Sequence, residues 1–222
     1  MSKLPLLIDL NGRFVVVIGG GGVARRKIET LLSYGAKVIV YEPNPSQELL
    51  SLSEKGVEVI RKEVGIEDVE EIASRAHMVI VATNNVDLNR RIGEFLRSKG
   101  VLVNVATSYE ISTVVFPAIL RLGDVVIAIS TSGLSPFLAS YIKDKVKRSL
   151  GDEIGAIAEV LGYVRNELKK RTIQMKVKKT IYKALLSDNE IVSLIAQGLK
   201  DKAKERALEK SLKYIEEQAK AV

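Results

Sequence analysis

The chain of 222 residues has no cysteine, no tryptophan and a single histidine, His77. Without cysteine, disulfides, zinc ribbons and thiol nucleophiles are excluded, and one histidine leaves almost no room for a His-based metal site or a Ser-His triad. No protein-borne metal site is therefore expected; metal chemistry would rest on carboxylates or on the ligand. No apolar run approaches the roughly 20 residues a membrane span needs, and Met1 to Pro5 is too short for a signal peptide. The expectation is a cytoplasmic protein with no membrane partner. The length suffices for a nucleotide-binding domain with a smaller appendage.

The net charge of +7 is unevenly placed. Residues 1–142 balance at 15 basic and 15 acidic, residues 143–183 hold 12 basic against 5 acidic, and the remainder balances again at 7 and 7. A localised positive field favours an anionic partner, although solvated helix faces give similar runs. Aromatic interleaving and DNA-reading motifs are missing, so nucleic acid is not expected as a partner.

Short runs rich in Val and Ile alternate with helix-period segments through the first two thirds of the chain, the pattern of βαβ units and a parallel sheet. Strands are expected at 14–18, 37–41, 57–61, 78–82, 102–106 and 125–130, with helices at 23–33, 67–75 and 88–98. After Leu150 the strand signals stop. Ile154, Ile157, Ala158, Leu161, Val164 and Leu168 make one helical stripe, Ser187 with Glu190 fits a capping box that starts a short helix closed by Gly198, and 201–220 reads as a charged helix. The fold class is thus α/β: a Rossmann-type doubly wound parallel sheet (1–113), a mixed segment (114–150) and an all-helical C-terminal domain (151–222).

Gly19, Gly21 and Ala24 form G-x-G-x-x-A directly after the first strand and at the start of a helix. Glycines keep the turn tight and let a pyrophosphate approach the backbone, while the first helical amides, around Gly22 and Val23, face the anion. Glu42 closes the next strand, where a carboxylate accepts from a ribose 2′-hydroxyl and repels a 2′-phosphate; NAD is the expected cofactor. Thr83, Asn84 and Asn85 follow the fourth strand, where the carboxyl ends of a doubly wound sheet line the ligand crevice; a plain Asn turn is the competing reading. Ser135 reads as an N-cap and Pro136 as a first helical residue, so free amides and hydroxyls from Ser130 to Ser135 would meet an anion there. His77 falls at the amino end of its strand and reads as a surface residue.

With these residues in place the chain resembles the precorrin-2 dehydrogenase and sirohydrochlorin ferrochelatase family, the siroheme-synthase N-terminal module. The segments that carry the resemblance run in order: Gly19 to Lys27 (GGGGVARRK), Val81 to Asn85 with Asn89 (VATNN), Val103 to Val105 (VNV), Phe116 to Ala118 (FPA) and Ser130 to Pro136 (STSGLSP). The resemblance implies NAD-dependent oxidation of precorrin-2 to sirohydrochlorin, in many members followed by iron insertion. It also implies a homodimer built largely from the segment after the Rossmann domain, and a substrate with eight carboxylates, for which the basic stretch has a use. Ser130, Ser132, Gly133 and Ser135 become the candidate substrate-binding residues.

One departure matters. After the VNV strand many members carry an aspartate thought to act as the acid-base group; here the sequence is Asn104-Val105-Ala106-Thr107, and Glu110 is the nearest carboxylate. Asn104, Thr107 and Glu110 are the candidate catalytic positions. A threonine takes no proton at neutral pH, so metal insertion, which needs two pyrrole protons removed, suffers more than hydride transfer, which depends on positioning. The expected activity is NAD-dependent precorrin-2 dehydrogenation. An NAD-sensing or tetrapyrrole-binding regulatory module without catalysis is the alternative.

Overall fold

The computed structural model describes residues 3–220, with side chains through 218. Contacts divide the chain into two compact units, Met1–Phe116 and Pro117–Val222, beside the boundaries at 113 and 150 read from the sequence.

Unit 1 is built on five strands, β1 (Phe14–Ile18), β2 (Lys37–Tyr41), β3 (Glu58–Ile60), β4 (Met78–Val81) and β5 (Leu102–Val105). All pairings are parallel and the order is β3-β2-β1-β4-β5. β1 and β4 are runs of branched or long apolar residues because helices cover both of their faces. One face packs Val15, Val17, Val38 and Val40 against Ala24, Ile28 and Leu31 of α1 (Gly22–Ser33) and Leu49 of α2 (Gln47–Leu50). The other packs Val16, Ile18, Val79 and Val81 against Val69 and Ile72 of α3 (Val69–Arg75) and Ile92 and Leu96 of α4 (Val86–Ser98). Fully burying each such aliphatic side chain contributes about 1.5–3 kcal/mol. The register pairs Ile18 with Tyr41 on one side and Val81 on the other, so three strands end level and present one rim.

The Rossmann-type sheet and the helical C-terminal region expected from the sequence are both present. Two local expectations change. The sixth expected strand lies outside the parallel sheet: β7 (Val125–Ile129) pairs antiparallel with β6 (Ala118–Leu122), a strand the sequence reading lacked. Among the described residues five helices complete unit 2: α5 (Pro136–Leu150), α6 (Glu153–Lys169), α7 (Met175–Leu186), α8 (Asn189–Ala196) and α9 (Lys200–Lys220). Asp188, not Ser187, caps α8; its Oδ1 accepts from Glu190 N and Ile191 N, while Ser187 ends α7 and donates to Lys183 O. The helix starts one residue later than the capping box implies because the carboxylate reaches two amides and also pairs with Lys210. Val164 and Leu168 from the expected stripe, with Val160 beside them, join Ile181, Leu185, Ile191, Ala203 and Ala207 in a separate core. Among the described residues, no helix is long and apolar enough to cross a membrane.

Candidate functional site

A crevice of about 510 Å3 opens at the carboxyl rim of the sheet, between β1 and β4, where the strand order reverses. This is the place where a doubly wound sheet leaves room for a ligand, because the chain departs to opposite faces on either side of it. Three turns line it: Gly19, Gly20 and Gly21 after β1, Glu42 to Asn44 after β2, and Ala82 to Asn85 after β4. The glycines do different jobs. Gly19 has φ +105, and a Cβ there would collide with the Ala82 carbonyl, so this glycine lets the ends of β1 and β4 meet. At Gly20 a Cβ would meet Glu42 Cγ at 2.8 Å, so the missing side chain admits the glutamate. A Cβ added at Gly21 or Gly22 would meet nothing within 4 Å, and the start of α1 has no side-chain cap. A space beside uncapped helical amides is what a pyrophosphate requires.

Both Glu42 oxygens are held by backbone: Oε2 accepts from Gly20 N at 2.7 Å and Oε1 from Asn44 N at 3.0 Å. The carboxylate is fixed at the crevice wall with lone pairs to spare. The opposite wall is fixed by Asn89, fully buried on α4. Its Oδ1 accepts from Thr83 N and from Thr83 Oγ1, and its Nδ2 donates to Thr83 O at 2.9 Å. Asn85 caps α4 by accepting from Leu88 N. Of the expected cofactor residues, Gly19, Gly21, Glu42, Thr83, Asn84 and Asn85 share this one crevice. Gly22 opens onto a neighbouring hollow, Val23 is exposed, and Ala24 is buried under the helix as a packing residue. Sequence reasoning gave no role to Arg25, inside the glycine motif's own helix, and missed Ser46, Glu48, Lys62 and Glu63, which reach the crevice from segments that no motif marks. Arg25 pairs with Glu48 at 3.1 Å, and a hydrogen bond between Lys62 and Asp68 raises the lysine pKa and lowers that of the aspartate.

The candidate catalytic residues lie elsewhere on the rim. Asn104, on β5, is 5% exposed; its Nδ2 donates to Val114 O at 3.0 Å, and its Oδ1 has no partner. Thr107 is exposed in the turn after β5. Glu110 lines a separate hollow with Lys3, Glu94 and Arg97, where Arg97 donates to the Glu110 carbonyl at 2.8 Å. None of the three lines the crevice. His77 is exposed at the amino end of β4, 3.1 Å from Arg13 Nη1. Among the described residues, no three His, Asp or Glu side chains converge as metal ligands.

In unit 2 the segment from Ser130 to Ser135 joins β7 to α5. Ser135 caps the helix by accepting from Leu138 N, with Pro136 next, as its sequence suggests. Ser130 Oγ accepts from Ser132 N, and Thr131 Oγ1 both accepts from Ser135 N and donates to Ser135 O. Ser132 and Gly133 both sit at positive φ, 53 and 86. Among the described residues Ser132 is the one non-glycine there. The reversal of direction leaves the Ser132 side chain exposed beside the helix start.

A family model described as putative NAD(P)-binding matches residues 6–118. The chain belongs to this NAD(P)-binding family. Curated relatives bear out the resemblance read from the motifs. A siroheme synthase of Sodalis glossinidius is 33% identical over 217 residues, covering 96% of this chain and 44% of that protein. Siroheme synthase 1 of Pectobacterium atrosepticum is 31% identical over 204 residues, covering 91% of this chain and 42% of its own. The chain thus spans less than half the length of these relatives. A solved structure described as SirC, precorrin-2 dehydrogenase, aligns over 92% of this chain and 100% of its own, with a TM-score of 0.74 and 28% identity.

In this NAD(P)-binding chain one further polar group stands out on the α1 side. Lys27 Nζ lies 4.3 Å from the centroid of the Phe116 ring, and its pKa is lowered to about 8 by burial and by the neighbouring charge of Arg26. No motif-based reading could have found this, because the ring comes from a segment 89 positions along the chain.

Proposed function

We propose that the chain is an NAD-dependent dehydrogenase that removes two hydrogens from precorrin-2 to give sirohydrochlorin, a step of siroheme biosynthesis. The observation that carries this reading is the crevice itself, in which the open glycine turn, the backbone-held Glu42 and the Asn89-locked Thr83 turn converge. The alignment over the whole length of SirC supports the choice of substrate.

The residues present fit NAD. Gly21 and Gly22 leave the space for the pyrophosphate, and the amides of Gly22, Val23 and Ala24 at the start of α1 donate to it. Gly19 holds the two strand ends together beneath it. Glu42 accepts from the adenosine ribose hydroxyls, and its charge disfavours a 2′-phosphate. Thr83, Asn84 and Asn85 bound the nicotinamide half. When bound, the cofactor supplies the hydride acceptor. The substrate carboxylates are received by Ser130, Ser132, Gly133 and Ser135, whose amides and hydroxyls surround a helix start. Asn104 and Thr107 offer no group that takes a proton at neutral pH, so the proton that accompanies the hydride leaves to water. The same chemistry limits metal insertion, because the one carboxylate in the turn, Glu110, lines another hollow.

The enzyme works in the cytoplasm as a homodimer. Leu134 and Phe137, 85% and 88% exposed, with Leu138 and Tyr141 form an apolar start to α5 that a second copy covers. Anaerobic incubation with precorrin-2 and NAD tests the activity: the sirohydrochlorin spectrum should grow with NAD, at least tenfold faster than with NADP. An unchanged spectrum overturns the proposal, and equal rates with the two cofactors remove the role given to Glu42.

A further inference from the structure

Unit 2 contains a second concavity, of about 510 Å3, between the end of α6 and the start of α7. Its walls are Arg165, Lys169, Lys178 and Lys179, and no acidic residue lines it. Among the described residues none of these four cations has a carboxylate within salt-bridge reach or a side-chain hydrogen bond. Solvated basic faces are common, but this one differs from its neighbour. On α9, in the same unit, Lys200 and Lys204 pair with Glu159, Lys210 pairs with Asp188 and Glu190, and Arg206 pairs with Glu190 and Glu209. Acidic residues therefore neutralise the helices where they pack, and four positive charges are left facing one hollow.

The floor of that hollow is not charged. Leu168 lies at its base, Tyr182 contributes a ring, and Met175 is 78% exposed although it is apolar. An adaptable thioether beside an aromatic ring, rimmed by long cationic side chains, suits a ligand with a flat apolar body and anionic groups at its edge. A nucleic acid fits less well, since successive stacking platforms are absent and a single tyrosine is present.

We propose that this groove is a second binding site, apart from the nucleotide crevice, for a polycarboxylate tetrapyrrole. The inference rests on the substrate class read above. Its role is retention: the macrocycle is held by its carboxylates on the helical unit before or after oxidation, and no bond changes there.

The absence of tryptophan makes the site directly readable, because Tyr182→Trp places a single indole in the groove. Uroporphyrin, a fluorescent octacarboxylate, is titrated into the full chain without NAD. It should quench the indole saturably, and Lys178→Glu with Lys179→Glu should weaken half-saturation more than tenfold. The same two-charge reversal at the exposed Lys55 and Arg91 of unit 1 should change it by less than twofold. NAD-dependent oxidation at saturating precorrin-2 should survive the groove reversal. Equal weakening by both reversals, or indole quenching by a single-stranded oligonucleotide with none by uroporphyrin, overturns the groove assignment and leaves the dehydrogenase reading intact. Loss of precorrin-2 oxidation in the unsubstituted chain refutes that reading instead, whatever the groove binds.

Discussion

Three turns on the rim of the sheet and a fourth beside them are built in different ways. The turns after β1, β2 and β4 hold each other: the end of β4 meets the backbone of Gly19, Glu42 is gripped by Gly20 and Asn44, and Thr83 by Asn89. The turn after β5 is held by neutral hydroxyls: Ser112 Oγ donates to Ser108 O, Thr113 Oγ1 accepts from Val103 N, and the buried Asn104 Oδ1 has no partner. A turn that must stay open for a ligand can keep its shape only if the surrounding side chains are fully committed to the backbone. The β5 turn keeps its shape as well, but without a titratable group at its strand end, and so offers geometry without acid-base chemistry.

The largest expected effect breaks the first turn without unfolding it. Gly21→Val puts a branched side chain into space where nothing in the protein lies within 4 Å, so the cost falls on the ligand. NAD affinity should drop by about 100-fold or more, equivalent to about 2.7 kcal/mol, while the thermal midpoint stays near that of the parent. Gly19→Ala is the contrast: its Cβ meets the Ala82 carbonyl at positive φ, so stability itself should fall. Unchanged NAD titration in Gly21→Val would place the pyrophosphate elsewhere.

Next in size is a pair of asparagines. Asn89→Ala removes every partner of Asn89 to Thr83 at a fully buried position and should cost about 2 kcal/mol of stability in denaturant unfolding, with weaker NAD binding. Asn104→Val loses one bond to Val114 O but also removes an unpaired buried oxygen. These effects oppose, and the net change should stay below about 1 kcal/mol. Equal costs at the two sites would show that the contrast between the turns is not energetic.

Much of this was legible in the sequence, and for definable reasons. β1 and β2 fall at 14–18 and 37–41 because strands buried on both faces read as unbroken Val and Ile runs, and Gly19, Gly21 and Glu42 hold fixed offsets from their ends. β6 was hidden because Ala118–Leu122 has an exposed arginine at position 121 and no flanking helix to complete a βαβ pattern. Arg25, Glu48 and Lys62 at the crevice, and Phe116 over Lys27, come together only through tertiary packing, which no local spacing encodes.

A smaller effect, about tenfold, sharpens the chemical side of the comparison. If the β5 turn lacks only an ionisable group, Thr107→Asp should raise the rate of cobalt or iron insertion into sirohydrochlorin, measured anaerobically at matched protein concentration. Precorrin-2 oxidation by NAD should change by less than tenfold, about 1.4 kcal/mol in the barrier. Efficient insertion by the parent would show that no carboxylate is needed at that strand end.

The last effect concerns Lys27, on α1. Burial, with the charge of Arg26 adding to it, lowers its pKa from 10.5 to about 8, whereas the ring face of Phe116 favours the cation and so opposes the shift. Between about pH 8 and 10.5 the unfolded chain therefore binds more protons at this position than the folded one. Its contribution to stability is complete above the unfolded value and is lost as pH falls through the folded value near 8. Stability measured by denaturant at pH 8 and again near pH 10 should thus rise more in the parent than in Lys27→Met, which has no such group to titrate. Phe116→Leu should lower the Lys27 pKa further, visible as an earlier shift of its Cε resonance in a pH titration by NMR. A pKa that rises on losing the ring would mean that Phe116 acts mainly by excluding water from the amine, and the cation–π contact would then carry none of the balance.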